Sequence, residues 1–144
     1  MANERDEVHP FEGRVDFPYW DGLGRDELLV QRCTGCARWS WPADWRCPRC
    51  GSYDLGWEPV EPRGVVYSWV RTHLAFVPAY AELVPYVNVL VELPGADGAR
   101  LMGLFTGPEE GLEVGSVVTG TFQAPSARTL DLSVLTWSLE VAAA

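Results

Sequence analysis

The rhythm of hydrophobic and polar positions changes twice along this chain. Between Phe17 and Gln31 the apolar residues Tyr19, Trp20 and Leu23 recur at roughly helical spacing, and Leu28 stands where it could extend the stripe. Gly22 and Gly24 weaken a helix at this point, so the segment predicts a short N-terminal helix. From Gly64 onward a period of two takes over. In YVNVLVELP, Val87, Val89, Val91 and Leu93 alternate with Tyr86, Asn88, Leu90 and Glu92. GVVYSWVRT before it, and RLMGLF, VVTGTFQA and TLDLSVLTWSLEV after it, are rich in β-branched and aromatic residues. Segments bearing Gly and Pro (PGADGA, TGPEEG, EVGS, APSA) separate them. Five strands with no long helix require a small barrel or sandwich, because a single open sheet leaves one apolar face bare.

Between these two regions lies a stretch without simple periodicity, residues 28–57, which holds all four cysteines. EPVEPRG follows, where Pro59 and Pro62 mark a junction and a candidate hinge. The expected organisation is therefore a flexible lead-in over 1–14, a helix and metal-binding segment over 15–58, and a barrel over 59–144. A length of 144 residues suits that division, being enough for one medium domain or two small ones.

Cys33, Cys36, Cys47 and Cys50 form C-x2-C-x10-C-x2-C, within CTGC and CPRCG. Two thiolates three residues apart grip one ion from a tight turn, and the intervening ten residues bring the second pair round to complete a tetrahedron. Gly35 and Gly51 suit such turns, which often need positive φ. Three alternatives stand beside a zinc site. Two disulfides suit a secreted chain, but residues 1–14 carry no export signal and cytosolic thiols stay reduced. A thioredoxin-like redox pair requires a βαβ context, which is missing. Iron in the same four thiolates is the third, because CPxCG also resembles a rubredoxin knuckle. Four thiolates close the coordination sphere and leave no water to activate, so the metal is expected to be structural.

The net charge of −9 narrows the partners, because nucleic-acid backbones are bound through clustered Lys and Arg. All 11 basic residues are Arg, which removes Schiff-base chemistry and lysine nucleophiles. Arg32, Arg38, Arg46 and Arg49 outweigh Asp44 and Asp54 within residues 28–57, but four thiolates on one divalent ion cancel that excess. No apolar run approaches a membrane span, and a cytoplasmic protein is expected. Trp39, Trp41 and Trp45 between the cysteine pairs suit packing against the knuckles and barrel, a protein contact surface, or base stacking. The apolar segment HLAFVPAYAELVPY, with Phe76 and Tyr80, is either a contact loop or packed under a neighbour. His73 has no catalytic companion in the sequence, and no nucleophile elbow or phosphate-cradling loop is present.

Taken in order, FPYWDGL, LLVQRCTGC, CPRCGS, RGVVYSW, His73, VPYVNVLVEL and LEVGSVVTGTF resemble a family of bacterial and archaeal acyl-CoA-associated proteins. In that family a rubredoxin-like zinc ribbon precedes an OB-fold barrel, and the resemblance spans roughly residues 16–141. It implies a mainly β chain with a short N-terminal helix, a zinc ribbon holding one structural zinc, and a five-stranded OB-fold barrel. It also implies a non-catalytic accessory subunit in a hetero-oligomer with a thiolase-like or aldolase enzyme of steroid or fatty-acyl side-chain degradation. Acyl-CoA would lie at or near the interface. Trp39, Trp41, Trp45, His73, Phe76 and Tyr80 are the candidate contacts with partner or acyl-CoA. A single-stranded nucleic-acid-binding module and a stand-alone acyl-CoA-binding protein using His73 are the competing readings.

Overall fold

A computed structural model describes residues 10–141 of the chain. Residues 1–9, most of the expected lead-in, lie outside the described residues. The first element is α1 (Phe17–Leu23), with Pro at its start and Tyr19, Gly22 and Leu23 buried. Asp16 precedes it and accepts a hydrogen bond from the Trp20 indole at 3.1 Å. The helix ends sooner than the apolar stripe suggests. The amides of Arg25 and Glu27 both turn back onto the Gly22 carbonyl, and Asp26 takes a left-handed φ of 57°. Leu28 is buried all the same, but it reaches the core from beyond the helix.

The cysteine-bearing segment folds as a three-stranded antiparallel sheet. Its strands are β1 (Leu29–Cys33), β2 (Trp39–Ser40) and β3 (Leu55–Pro59), ordered β2-β1-β3. The second sheet holds β4 (Arg63–Thr72), β5 (Tyr86–Leu93), β6 (Ala99–Leu104), β7 (Val117–Gln123) and β8 (Val134–Leu139), ordered β6-β5-β4-β7-β8. A parallel bridge between Phe105 and Trp137 joins the two ends of this sheet, reinforced by the Thr106 amide donating to the Trp137 carbonyl at 2.7 Å. The result is the five-stranded OB-fold barrel. Closing so few strands demands a sharply bent first strand, and the register of β4 against β5 slips between Val66 and Ser68. The bulge lets the start of β4 pair with β7 while the rest pairs with β5 alone.

Alternation sets the inside of the barrel as the sequence predicts: Val87, Val89, Val91 and Leu93 are all buried. Two glycines are required by close approach. A Cβ on Gly64 would stand 2.4 Å from a Val91 methyl, and one on Gly103 would stand 2.7 Å from the Trp137 ring. The last predicted strand is too long at its start. Residues 129–133 turn instead, because Leu130 and Asp131 are both left-handed and Ser126 and Thr129 cap each other's backbone.

The candidate hinge is a packed joint. Val60 is buried, and its amide donates to the Leu28 carbonyl at 2.8 Å, which ties the junction to the start of β1. Tyr19, Leu23, Leu28 and Val30 belong to the same apolar cluster as the barrel residues Val66, Val89, Leu101 and Trp137. Helix, ribbon and barrel therefore share one core.

Candidate metal centre and surface clefts

Each cysteine pair sits on a turn made by the chain reversing after a strand or loop. At the first, the Ala37 amide donates to the Cys33 carbonyl and the Cys33 amide to the Arg38 carbonyl, both at 2.9 Å. At the second, the Gly51 amide donates to the Cys47 carbonyl at 2.9 Å and the Cys47 amide to the Ser52 carbonyl at 2.8 Å. The left-handed residue in each turn is the one just after the second cysteine: Ala37 at φ 63° and Gly51 at φ 76°. Gly35 therefore does not serve the role that its position suggested. The requirement for positive φ falls two residues later, where the sequence places alanine.

The four Sγ atoms lie within 4.8 Å of one another, and the Cys33–Cys50 and Cys36–Cys47 pairs are each 3.6 Å apart. Sulfurs at about 2.3 Å from one tetrahedral ion are separated by about 3.8 Å, so the donor set fits a single four-thiolate metal. A disulfide would need about 2.05 Å, and all four cysteines are free. Backbone amides aimed at sulfur, led by that of Cys50 and joined by that of Arg49, lower the Cys47 thiol to about 6. The Ser52 amide acts on Cys50 in the same sense. Its neighbouring thiols and burial outweigh that, and Cys50 is pushed up to about 11. A divalent cation held at this centre would favour the thiolate form of its ligands by offsetting their mutual repulsion.

A buried glutamine holds the segment between the two turns. The Gln31 side-chain amide donates to the Asp44 carbonyl at 2.8 Å, and its oxygen accepts from the Asp44 amide at 3.0 Å. Gln31 thus pairs with the linker at Asp44 as a backbone strand would. The ribbon's arginines are partly used within the ribbon itself. Arg32 pairs with Glu58 at 2.9 Å and lies over the Trp39 ring, while Arg46 donates to the Gly51 carbonyl at 2.8 Å.

The six aromatic and histidine candidates do not form one surface. Trp39 and Trp41 pack against the shared core, Trp41 with its ring centroid 4.5 Å from that of Tyr19. They also line a notch against the Asp97–Arg100 turn of the barrel. Trp45 is exposed and lines a separate shallow cleft with Tyr53 and Trp57. His73 is exposed at the start of the β4–β5 loop, with no hydrogen-bond partner among the described residues. Phe76 is 85% exposed, whereas Tyr80 turns inward toward Tyr86 at 5.6 Å between centroids.

Tyr80 leads to a cleft of about 360 Å³ that single-residue reasoning did not anticipate. Its walls include Tyr19 and Trp20 from α1, Tyr86, Met102 and Leu104 from the barrel, and Arg128 from the β7–β8 loop. Burial pushes the Tyr19 hydroxyl up to about 12, so it is a neutral group at all physiological pH values. Arg128 alone could have been picked from the sequence, as a lone cation in a turn of an acidic barrel. The rest of the wall is assembled from three distant segments.

Family models divide the chain along the same lines as its two sheets. Residues 20–56 match the ChsH2 rubredoxin-like zinc ribbon domain, and residues 57–123 match the ChsH2 C-terminal OB-fold domain. The chain belongs to the ChsH2 family. Among its relatives, a probable enoyl-CoA hydratase alpha subunit of Thermomonospora curvata is 36% identical over 108 residues, or 72% of this chain and 32% of that protein. The 3-oxo-4,17-pregnadiene-20-carboxyl-CoA hydratase alpha subunit of Mycobacterium tuberculosis is 31% identical over 118 residues, or 80% of this chain and 36% of that protein. The chain thus spans about a third of the length of these curated relatives. A solved structure described as the Ltp2-ChsH2(DUF35) aldolase matches with a TM-score of 0.78 at 28% identity, covering 92% of this chain and 100% of the matched one. A Sulfolobus solfataricus protein of unknown function from the DUF35 family matches at TM-score 0.59 and 15% identity, covering 92% and 90% of the two chains, which shows the shared fold alone. No helix among the described residues is long and apolar enough to cross a membrane.

Proposed function

We propose that this chain is a non-catalytic accessory subunit that binds and supports a thiolase-fold enzyme, an acyl-CoA thiolase or aldolase acting on steroid or fatty-acyl side chains. One observation carries the reading. A chain of the solved structure described as the Ltp2-ChsH2(DUF35) aldolase is matched over its whole length at 28% identity, which supports a place for this chain in an assembly of that kind. The chemistry of the residues supports it. Four thiolates around one ion leave no open position for substrate or water. His73 has no carboxylate, hydroxyl or thiol in hydrogen-bond reach among the described residues.

Within this reading Cys33, Cys36, Cys47 and Cys50 hold one structural zinc, whose role is to fold residues 15–58 onto the barrel of 59–144. Zinc is preferred over iron because it favours a closed tetrahedral thiolate site without redox demands. The thiolase-fold enzyme supplies the reacting groups, and its acyl-CoA substrate passes close to the loop of His73, Phe76 and Tyr80. Co-expression with a thiolase-fold enzyme from the same organism tests the proposal. A stable complex with activity or solubility that the enzyme lacks alone is expected. Separate elution, with the enzyme equally active by itself, would overturn it. Elemental analysis should give one zinc per chain. A coloured protein carrying iron would revise the metal without touching the partner.

A further inference from the structure

The pairing of β4, β5 and β6 fixes what the barrel shows on its outer side. Inward rows join Val66, Val91 and Leu101, and then Trp69, Val89 and Gly103. The rows between them face out: Val70, Asn88 and Leu104 in one, Ser68, Leu90 and Met102 in the next. An outer sheet face ordinarily carries polar residues, yet Val70 is 57% and Met102 69% exposed. Tyr67, set outward by the bulge, is exposed as well, and so are Leu74, Phe76 and Val77 on the loop that continues this face.

The arginines of the barrel are nearly all spent. Arg100 bonds Glu92 at 3.1 Å and lies 3.5 Å over the Tyr67 ring, and Arg71 pairs with Glu109. Arg63 is tied to Glu140 on the far side. Of the four arginines in residues 59–144, this leaves Arg128 exposed with no carboxylate within 4.0 Å among the described residues. It stands where the apolar face runs into the cleft of Tyr80, Tyr86 and Met102.

We propose that the outer face of β4, β5 and β6, with the Leu74–Val77 tip and the Arg128 cleft, is the surface that receives the thiolase-fold subunit. This rests on the accessory-subunit reading and says where on the chain the enzyme sits. A protein partner fits because the face combines exposed apolar side chains with one unspent cation, which takes a carboxylate from the enzyme. A second copy of this chain fits less well, since each copy carries −9. The cleft then accepts an apolar side chain of the enzyme beside that carboxylate. The indoles Trp39 and Trp41 are already used to join ribbon to barrel.

The test measures affinity of the full-length zinc-loaded chain for the purified thiolase-fold enzyme that co-expression identifies as its partner, by isothermal titration. Met102→Asp, Phe76→Asp and Arg128→Glu should each weaken binding by about tenfold or more. All three sites are exposed, so melting temperature and zinc content should not move. Trp45→Ala, on the other exposed aromatic site, should bind as the parent does. If the three variants bind normally while Trp45→Ala loses affinity, the face is wrong and the accessory reading survives. If the variants only turn a self-associated chain into monomers and leave enzyme affinity intact, the occupant is a second copy and the proposal fails. No binding by the parent chain overturns the accessory reading and this inference together.

Discussion

The ribbon and the barrel reach order by different physical means. The barrel buries a continuous set of branched and aromatic side chains, among them Val66, Val89, Val91, Val118, Leu135 and Trp137, and its backbone bonds close on themselves through Phe105 and Trp137. The ribbon buries little of its own beyond Leu28, Val30, Cys33 and Cys47, and one of its buried side chains is the polar Gln31. A unit of that size cannot offset its conformational entropy by apolar burial alone, so the metal must supply what the core lacks. The comparison teaches that the two are nonetheless not independent. Among the described residues the ribbon's apolar interior is continuous with the barrel's own core, joined through Tyr19, Leu23, Leu28 and Val30.

The sharpest way to separate the two is to remove the metal. Chelation, or Cys47→Ser, should unfold residues 29–58, since structural zinc contributes on the order of 10 kcal/mol in small ribbons. Near-ultraviolet circular dichroism from Trp39 and Trp41 should collapse. Hydrogen exchange should stay slow in β5 and β8 and become fast in β1. A ribbon still protected after complete metal loss would break the comparison. The next largest effect is expected in the barrel. Trp137→Ala empties the site where the barrel closes and should cost about 3 to 5 kcal/mol in urea unfolding. It should lower the stability of both units together, because the core is continuous.

Gln31→Ala probes the ribbon without touching a ligand. It strands the amide and carbonyl of Asp44 and should cost about 1 to 3 kcal/mol. The measurement that matters is the rate of zinc transfer to a chelator, which should rise while barrel strands keep their exchange protection. The smallest effect concerns the pair formed by Arg63 at the start of β4 and Glu140 just past β8, joined by two bonds of 2.9 Å. The Arg63 guanidinium holds the Glu140 carboxyl below its ordinary value. Its contribution is therefore present above the unfolded carboxyl's pKa and is lost as pH falls through the lower folded value. Glu140→Gln should lower the melting temperature slightly at neutral pH, by an amount that fades in acid. A difference that persists at low pH would mean the pair acts by packing, not charge.

Much of this was legible in the chain itself. The spacing of Cys33, Cys36, Cys47 and Cys50 predicts one tetrahedral site, and the sulfurs are disposed to fit one. The alternation in YVNVLVELP predicts which side of β5 is inside, and the burial follows it residue by residue. What was not legible depends on backbone conformation and on distant neighbours. Nothing local distinguishes Leu130 and Asp131 as left-handed, so β8 was expected to start too early. Proline at 59 and 62 suggested a hinge, but whether a junction moves depends on what packs on it, and Val60 is buried against the start of β1. The three linker tryptophans look equivalent in sequence. The pairing of β2 with β1 sets Trp39 opposite Arg32, Trp41 packs on Tyr19, and Trp45 is left outside.

The sequence by itself determined the ligand chemistry, the short N-terminal helix, the five strands of the barrel and the net acidity. These follow from residue identity and short spacing, which the chain carries wherever it goes. Only the tertiary structure decided that ribbon and barrel share a core and that an apolar outer face runs into a cleft ending at Arg128. It also decided which arginines are already paired. Those properties arise where segments far apart in the chain meet. Register, closure and the packing of one unit on another are long-range, and no local pattern encodes them alone.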